Sequence, residues 1–103
     1  MSKIQAAITA VGGYVPEKIL TNKHLEYMVD TTDEWIKTRT GIEERRILEE
    51  GKGLSYMAVK AVEMLLQKRG IDALEIDLVI CCTVTGDLIF PATSNIVCDL
   101  VGA

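Results

Sequence analysis

At 103 residues, 49% hydrophobic and 25% charged, the chain has ordinary globular composition, and one domain is the natural count. A net charge of −4 and a pI near 4.9 argue against nucleic-acid binding, which needs a basic face. The longest apolar run, Leu78–Cys82, is far shorter than the ~20 residues of a membrane span. The opening residues, MSKIQAAITAVGGYVP, have an interrupted apolar stretch and no signal-peptide core, so the expected location is cytoplasmic. A chain of this size buries roughly 65% of its unfolded surface. Its mean hydropathy of +0.22 is high for so small a domain, which points to apolar surface facing a partner or further chain.

Ile4–Val11 reads as a strand ended by Gly12-Gly13, with Pro16 fixing an extended turn. Thr21 or Asn22 caps a short helix over Lys23–Val29, whose apolar stripe is Leu25, Met28 and Val29. Thr31-x-x-Glu34 matches a capping box and starts a second short helix through about Thr38, with Gly41 as its left-handed stop. Ile42–Leu48 is expected to be extended, and Glu49–Gly53 to turn.

The clearest helix spans Leu54–Arg69. Leu54, Met57, Ala58, Ala61, Val62, Leu65 and Leu66 recur at helical spacing, Lys68 and Arg69 suit its negative end, and Gly70 suits its stop. Asp77–Thr85 is apolar on both faces and reads as a strand buried between two layers. A loop over Gly86–Pro91 leads to a last helix capped by Thr93 or Ser94 and closed by Gly102. The order β-α-α-α-β-α implies an α/β fold with a parallel or mixed sheet covered by helices, and too few strands to complete it. Three cysteines, Cys81, Cys82 and Cys98, and one histidine give no zinc pattern, and no metal site is expected. Neighbouring Cys81 and Cys82 would point to opposite faces of a strand, so the thiols read as small hydrophobes in a reduced core.

On a helix, Thr31, Trp35 and Arg39 fall at i, i+4 and i+8, on one face. The indole offers a flat surface for a base, and the guanidinium offers a planar fork for phosphate. Thr31 adds a hydroxyl beside helix N–H groups, where anions are favoured. Such a set could clamp a nucleotide. The alternative is structural: Trp35 and Ile36 in a core, with Arg39 paired to Asp30 or Glu43.

The segment TTDEWIKTRTGIEERR resembles the N-terminal signature of the β-ketoacyl-acyl-carrier-protein synthase III family, initiating condensing enzymes of fatty acid synthesis with a thiolase-like layered αβαβα fold. GGYVPEKILTN, GLSYMAVKAV, IDLVICCTVTGD and FPATSNIVCDLVGA follow in that family's order and spacing, so the resemblance covers essentially all of residues 1–103. It implies an N-terminal segment of the first thiolase-like half-domain. It further implies that Trp35 stacks on the adenine of coenzyme A while Arg39, Thr31 and Thr40 contact its phosphate-bearing end. Phe90, before Pro91, takes the place of a residue that crosses the dimer into the partner's acyl pocket; the alternative is a Phe tucked over its own core.

The family works through Cys, His and Asn: a thiolate at a helix N-terminus attacks the acyl thioester, and the other two stabilise the developing oxyanion and enolate. The local pattern around that Cys does not occur here, and all three groups are expected beyond Ala103. Cys98 falls inside the last helix, Cys81 and Cys82 in a strand, His24 at the surface or a cap, and Asn95 in a first helical turn. The resemblance implies acyl-coenzyme A and malonyl-acyl carrier protein as substrates, no permanently bound cofactor, a homodimeric parent, and no nucleic-acid or membrane partner. A segment of 103 residues without the nucleophile is expected to be inactive alone. Two other readings stand beside it: a stand-alone coenzyme A-binding module, and a segment of a specialised relative making quinolones, polyketide starters or ketones.

Overall fold

Thr21 stands in extended conformation and its hydroxyl accepts from the His24 amide at 3.2 Å, which starts helix α1 (Asn22–Leu25) in the computed structural model. The model describes residues 3–103. Two compact units divide the chain: Val15–Lys52, and the residues up to Tyr14 together with Gly53–Ala103.

In the first unit, strand β1 (Lys18–Thr21) precedes α1, and helix α2 (Asp33–Thr40) leads to strand β2 (Glu44–Ile47). The strands pair antiparallel, Lys18 opposite Ile47 and Thr21 opposite Glu44. The expected extended stretch Ile42–Leu48 therefore contains a strand, and its partner Lys18–Thr21 is one the sequence did not reveal. Helix α1 stops at Leu25, shorter than the expected Lys23–Val29; single turns carry the chain on, with the Met28 and Val29 amides both bonded to the Leu25 carbonyl at 3.0 Å. Helix α2 ends at Gly41 with φ 72°, the left-handed stop that its sequence implied.

In the second unit, helix α3 occupies Leu54–Arg69 as its periodicity predicts, and Gly70 closes it at φ 71°. All seven stripe residues are half-buried. Helix α4 (Thr93–Val101) packs on α3 and buries Val97. Its N-cap is Ala92 and no side chain caps it, so Thr93 is its first residue rather than its cap. Gly102 ends it at φ 80°. A single 3₁₀ turn, Ala73–Glu75, is held by a complete capping box from Asp72 and Glu75. Gly12 lies against α3: a Cβ there would stand 2.8 Å from the Ala61 carbonyl oxygen.

The two strands expected at Ile4–Val11 and Asp77–Thr85 do not form, and among the described residues the only sheet is the β1–β2 ribbon. A strand exists as a ladder, and neither segment exchanges backbone hydrogen bonds with another among the described residues. Leu78, Ile80 and Val84, expected to lie between two layers, are exposed. The cysteines follow suit: Cys82 is exposed, and Cys81 and Cys98 are only half-buried, rather than core residues. Among the described residues, no helix is long and apolar enough to cross a membrane.

Candidate functional site

Helix α2 carries the site, and its ends are fastened by polar groups. Thr32, in extended conformation, caps it, with its hydroxyl accepting from the Trp35 amide at 3.1 Å. The expected box of Thr31 with Glu34 is thus displaced by one residue, and Thr31 lies outside the helix. The first helical amide, of Asp33, donates to the Glu26 carboxylate at 2.8 Å. Glu26 therefore satisfies a first-turn amide from outside the helix. At the other end the Thr40 hydroxyl donates to the Ile36 carbonyl at 2.7 Å and accepts from the Ile42 amide at 3.1 Å.

One buried residue ties these ends together. Asn22, 1% exposed, sits directly after the cap of α1. Its Nδ2 donates to Asp33 Oδ1 at 3.0 Å and to the Ile42 carbonyl at 2.6 Å, the first at the start of α2 and the second just past its end. Its Oδ1 accepts from Arg45 Nη2 at 2.9 Å, and its backbone amide donates to the Glu43 carbonyl at 3.1 Å. The amide from Asn22, with Lys37 assisting, holds the Asp33 carboxyl below its ordinary pKa, against a smaller opposing effect of burial. Lys37 bridges Asp33 at 3.3 Å and Glu43 at 3.9 Å. Asn22, Asp33 and Arg45 form a polar scaffold around α2 that the sequence did not reveal. The legible sign was small: an Asn following a Thr that already caps has an amide free for another task.

The helix turns Ile36 inward and Trp35 outward. Ile36 is buried, and Trp35 is 56% exposed. The guanidinium carbon of Arg39 lies 5.4 Å from the centroid of the Trp35 ring, one helical turn away, within cation–π range. Glu43 pairs with Lys37, and among the described residues no acceptor engages Arg39. The structural alternative thus holds for Ile36 and fails for Trp35 and Arg39.

Two shallow clefts flank the indole. Asp30, Thr31, Thr32 and Trp35 line one of about 270 Å³; Thr32, Glu34, Trp35, Thr38 and Arg39 line another of about 350 Å³. The first brings Thr31 beside Trp35 although the two do not share a helical face. The start of α2 is not the free anion site that Thr31 was expected to flank. Its Asp33 and Trp35 amides are already bonded, and Asp33 and Glu34 put negative charge in the first turn. The positive charge of this helix stands at the opposite end, on Lys37 and Arg39. Thr40 has its single hydroxyl proton engaged by Ile36, so it can meet a ligand only as an acceptor unless that bond breaks.

In the second unit, Phe90 is 87% exposed and does not tuck over a core formed by the described residues. It ends the loop Val84–Phe90, which lines an open depression. That loop is pinned by Asp87: its carboxylate accepts from the Ser55 amide at 2.9 Å and from the Ser55 hydroxyl, while its own amide donates to the Thr93 hydroxyl at 3.3 Å. Those Ser55 bonds lower the Asp87 pKa. His24 is exposed, Asn95 lies in the first turn of α4, and Cys98 lies within α4.

No protein-family model matches the chain. It is 57% identical, over 99% of its length, to a protein of Bacteroides thetaiotaomicron named β-ketoacyl-acyl-carrier-protein synthase III 2, of which it spans 31%. The solved structure of a β-ketoacyl-acyl-carrier-protein synthase III from Thermus thermophilus superimposes with a TM-score of 0.85 at 48% identity, covering 94% of this chain and 30% of that one. A priming β-ketosynthase of a polyketide biosynthetic pathway superimposes with a TM-score of 0.85 at 39% identity, covering 91% of this chain and 28% of that one. The incomplete layers thus correspond to part of a thiolase-like α/β fold. Along nearly its whole length in sequence, and in fold, the chain is similar to proteins named β-ketoacyl-acyl-carrier-protein synthase III, and it spans about 31% of the length of the curated relatives it matches.

Proposed function

We propose that this chain forms the coenzyme A-holding segment of a β-ketoacyl-acyl-carrier-protein synthase III. The whole enzyme condenses acyl-coenzyme A with malonyl-acyl carrier protein to start fatty acid synthesis. The observation that carries the proposal is the exposed Trp35 with Arg39 at 5.4 Å over its ring, in a chain 57% identical to a protein of that name. An adenine stacks on the indole. The guanidinium, engaged by no carboxylate among the described residues, is available to the phosphates. Thr31 adds a hydroxyl beside the ring, and Thr40 contributes at the phosphate end as an acceptor, or as a donor after releasing Ile36.

The covalent chemistry belongs to groups outside these 103 residues. A cysteine thiolate attacks the thioester carbonyl and displaces coenzyme A, forming an acyl-enzyme thioester; malonyl-acyl carrier protein loses CO₂, and the resulting carbanion attacks that thioester and releases the cysteine thiolate, with a histidine and an asparagine stabilising the oxyanions. The segment alone is therefore inactive. Phe90, exposed at a loop tip, reaches the acyl pocket of the partner in a cytoplasmic homodimer. No permanently bound cofactor enters the reaction; coenzyme A arrives as the substrate's carrier.

The test is the rate of the full-length enzyme against acyl-coenzyme A concentration, with and without Trp35→Ala. A raised KM for acyl-coenzyme A supports the clamp, and an unchanged dependence overturns it. The 103-residue chain alone, given labelled acetyl-coenzyme A and malonyl-acyl carrier protein, is expected to form no acyl-thioester and release no CO₂. A second reading, a ketosynthase that primes a specialised pathway, is favoured by the 39% identity to the polyketide priming enzyme. Acyl-chain preference of the full-length enzyme separates the two. A stand-alone binding module fits less well, because it would leave Leu78, Ile80, Val84, Ile89 and Phe90 exposed.

A further inference from the structure

We infer that Asn22 and Asp33 are positioning residues for coenzyme A thioesters, setting the pose of the Trp35–Arg39 pair by locking both ends of helix α2; this rests on the clamp proposed above. Neither side chain lines the clefts beside the indole. Both act through the helix. The Asn22 amide bonds Asp33 at 3.0 Å, at the helix start, and the Ile42 carbonyl at 2.6 Å, just past the Gly41 stop. A helix of eight residues has little cooperativity of its own, so tying its two ends to one buried group fixes its rotation as well as its length. Rotation decides which way the indole faces. The lock is fully satisfied: both Asn22 amide hydrogens and its oxygen have partners, Arg45 taking the oxygen at 2.9 Å. Ile36, 8% exposed on the inward side, is the only buried residue of α2, and Pro16 is the only other buried apolar residue of this unit among the described residues. Apolar packing alone therefore leaves the helix orientation weakly specified, and the polar lock supplies what is missing.

The inference separates position from charge. Asp33→Asn keeps an oxygen that accepts from Asn22 but removes the charge facing Lys37 and the helix dipole. Asp33→Ala removes both. In the full-length enzyme, Asp33→Ala and Asn22→Ala are expected to raise KM for acyl-coenzyme A about tenfold, the scale of one lost buried hydrogen bond. Asp33→Asn should stay close to the parent, and kcat at saturating acyl-coenzyme A should stay within about twofold of it in all three. In a Trp35→Ala background the same substitutions should add little, since they act through that ring. Equal effects of Asp33→Ala and Asp33→Asn would overturn the lock in favour of a charge effect. Unchanged KM in folded Asp33→Ala, or full additivity with Trp35→Ala, would overturn it while leaving the clamp in place. If Trp35→Ala itself leaves acyl-coenzyme A use unchanged, the clamp fails and the positioning role falls with it. Should Asn22→Ala not fold, the Asp33 pair decides alone.

Discussion

The two units solve the same problem by different means. Val15–Lys52 is held by directed hydrogen bonds that meet at Asn22, with Ile36 as its buried hydrophobic residue. The unit containing α3 and α4 is held by an apolar stripe that closes on Val97 and is trimmed by one carboxylate, Asp87. Hydrogen bonds are satisfied pairwise, so a short segment can complete them within itself. Burial is not: an apolar face needs a second layer, and where none lies over it Leu78, Ile80 and Val84 stay exposed. The Trp35–Arg39 pair therefore sits on the part of the chain whose polar groups are already closed, while Leu78, Ile80 and Val84 have no covering layer among the described residues.

That contrast can be broken at its strongest point first. Asn22→Ala strands Asp33, the Ile42 carbonyl and Arg45 together, and is expected to cost about 3 kcal/mol, with faster hydrogen exchange at the α2 amides as the local readout. If protection of α2 is unchanged, the polar hub does not hold this unit. Trp35→Ala should weaken acyl-coenzyme A use by ~1–3 kcal/mol, roughly 5- to 150-fold in KM, as for other base–aromatic stacks. Because the ring is 56% exposed, its removal should spare stability in a way that truncating a core Trp does not, and a denaturant titration of the same variant checks this.

On the apolar side, Val97→Ala removes two methyl groups from the α3–α4 contact and should cost about 2 kcal/mol, seen as faster exchange in both helices. Gly53→Ala would place a Cβ 2.8 Å from the Asp87 carboxylate and push that group off the start of α3, a loss of about 1 kcal/mol, the scale of a helix cap. The smallest effect is a pH dependence. Asp33 and Asp87 both titrate below the ordinary 3.8 in the folded chain, so each contributes stability that is present above that value and lost as pH falls through the folded pKa. Acid unfolding followed at α3 should be shallower in Asp87→Asn, and unaltered there in Asp33→Asn. Equal responses would mean that the two carboxylates do not act within their own units.

Much of the local structure was legible. The stripe from Leu54 to Leu66 and the stop at Gly70 are periodic and adjacent, and α3 occupies that span. Gly41 and Gly102 end their helices as left-handed residues. Trp35 and Arg39 were placed together by i, i+4 spacing, and the cation–π contact follows from it. The strands expected at Ile4–Val11 and Asp77–Thr85 do not form because an apolar run makes a strand only beside a neighbouring ladder and under a covering layer, and among the described residues these segments have neither. The cap of α2 was misplaced by one residue because Thr31 and Thr32 offer the same hydroxyl, and only the backbone at Thr32 selects it.

By itself, then, the sequence determined what depends on neighbours along the chain: helical faces, glycine stops, an indole beside a guanidinium, and a family likeness running through the chain in order. Tertiary structure decided what depends on residues brought from afar. Asn22 finds Asp33, Ile42 and Arg45 at separations of 11, 20 and 23 residues, and Asp87 caps α3 across 32. The physical reason is that a helical repeat is set by bond geometry every few residues, whereas the partner of a buried amide is set by where the backbone returns. Here that return turns a Trp and an Arg on one helix into a pair held in one orientation.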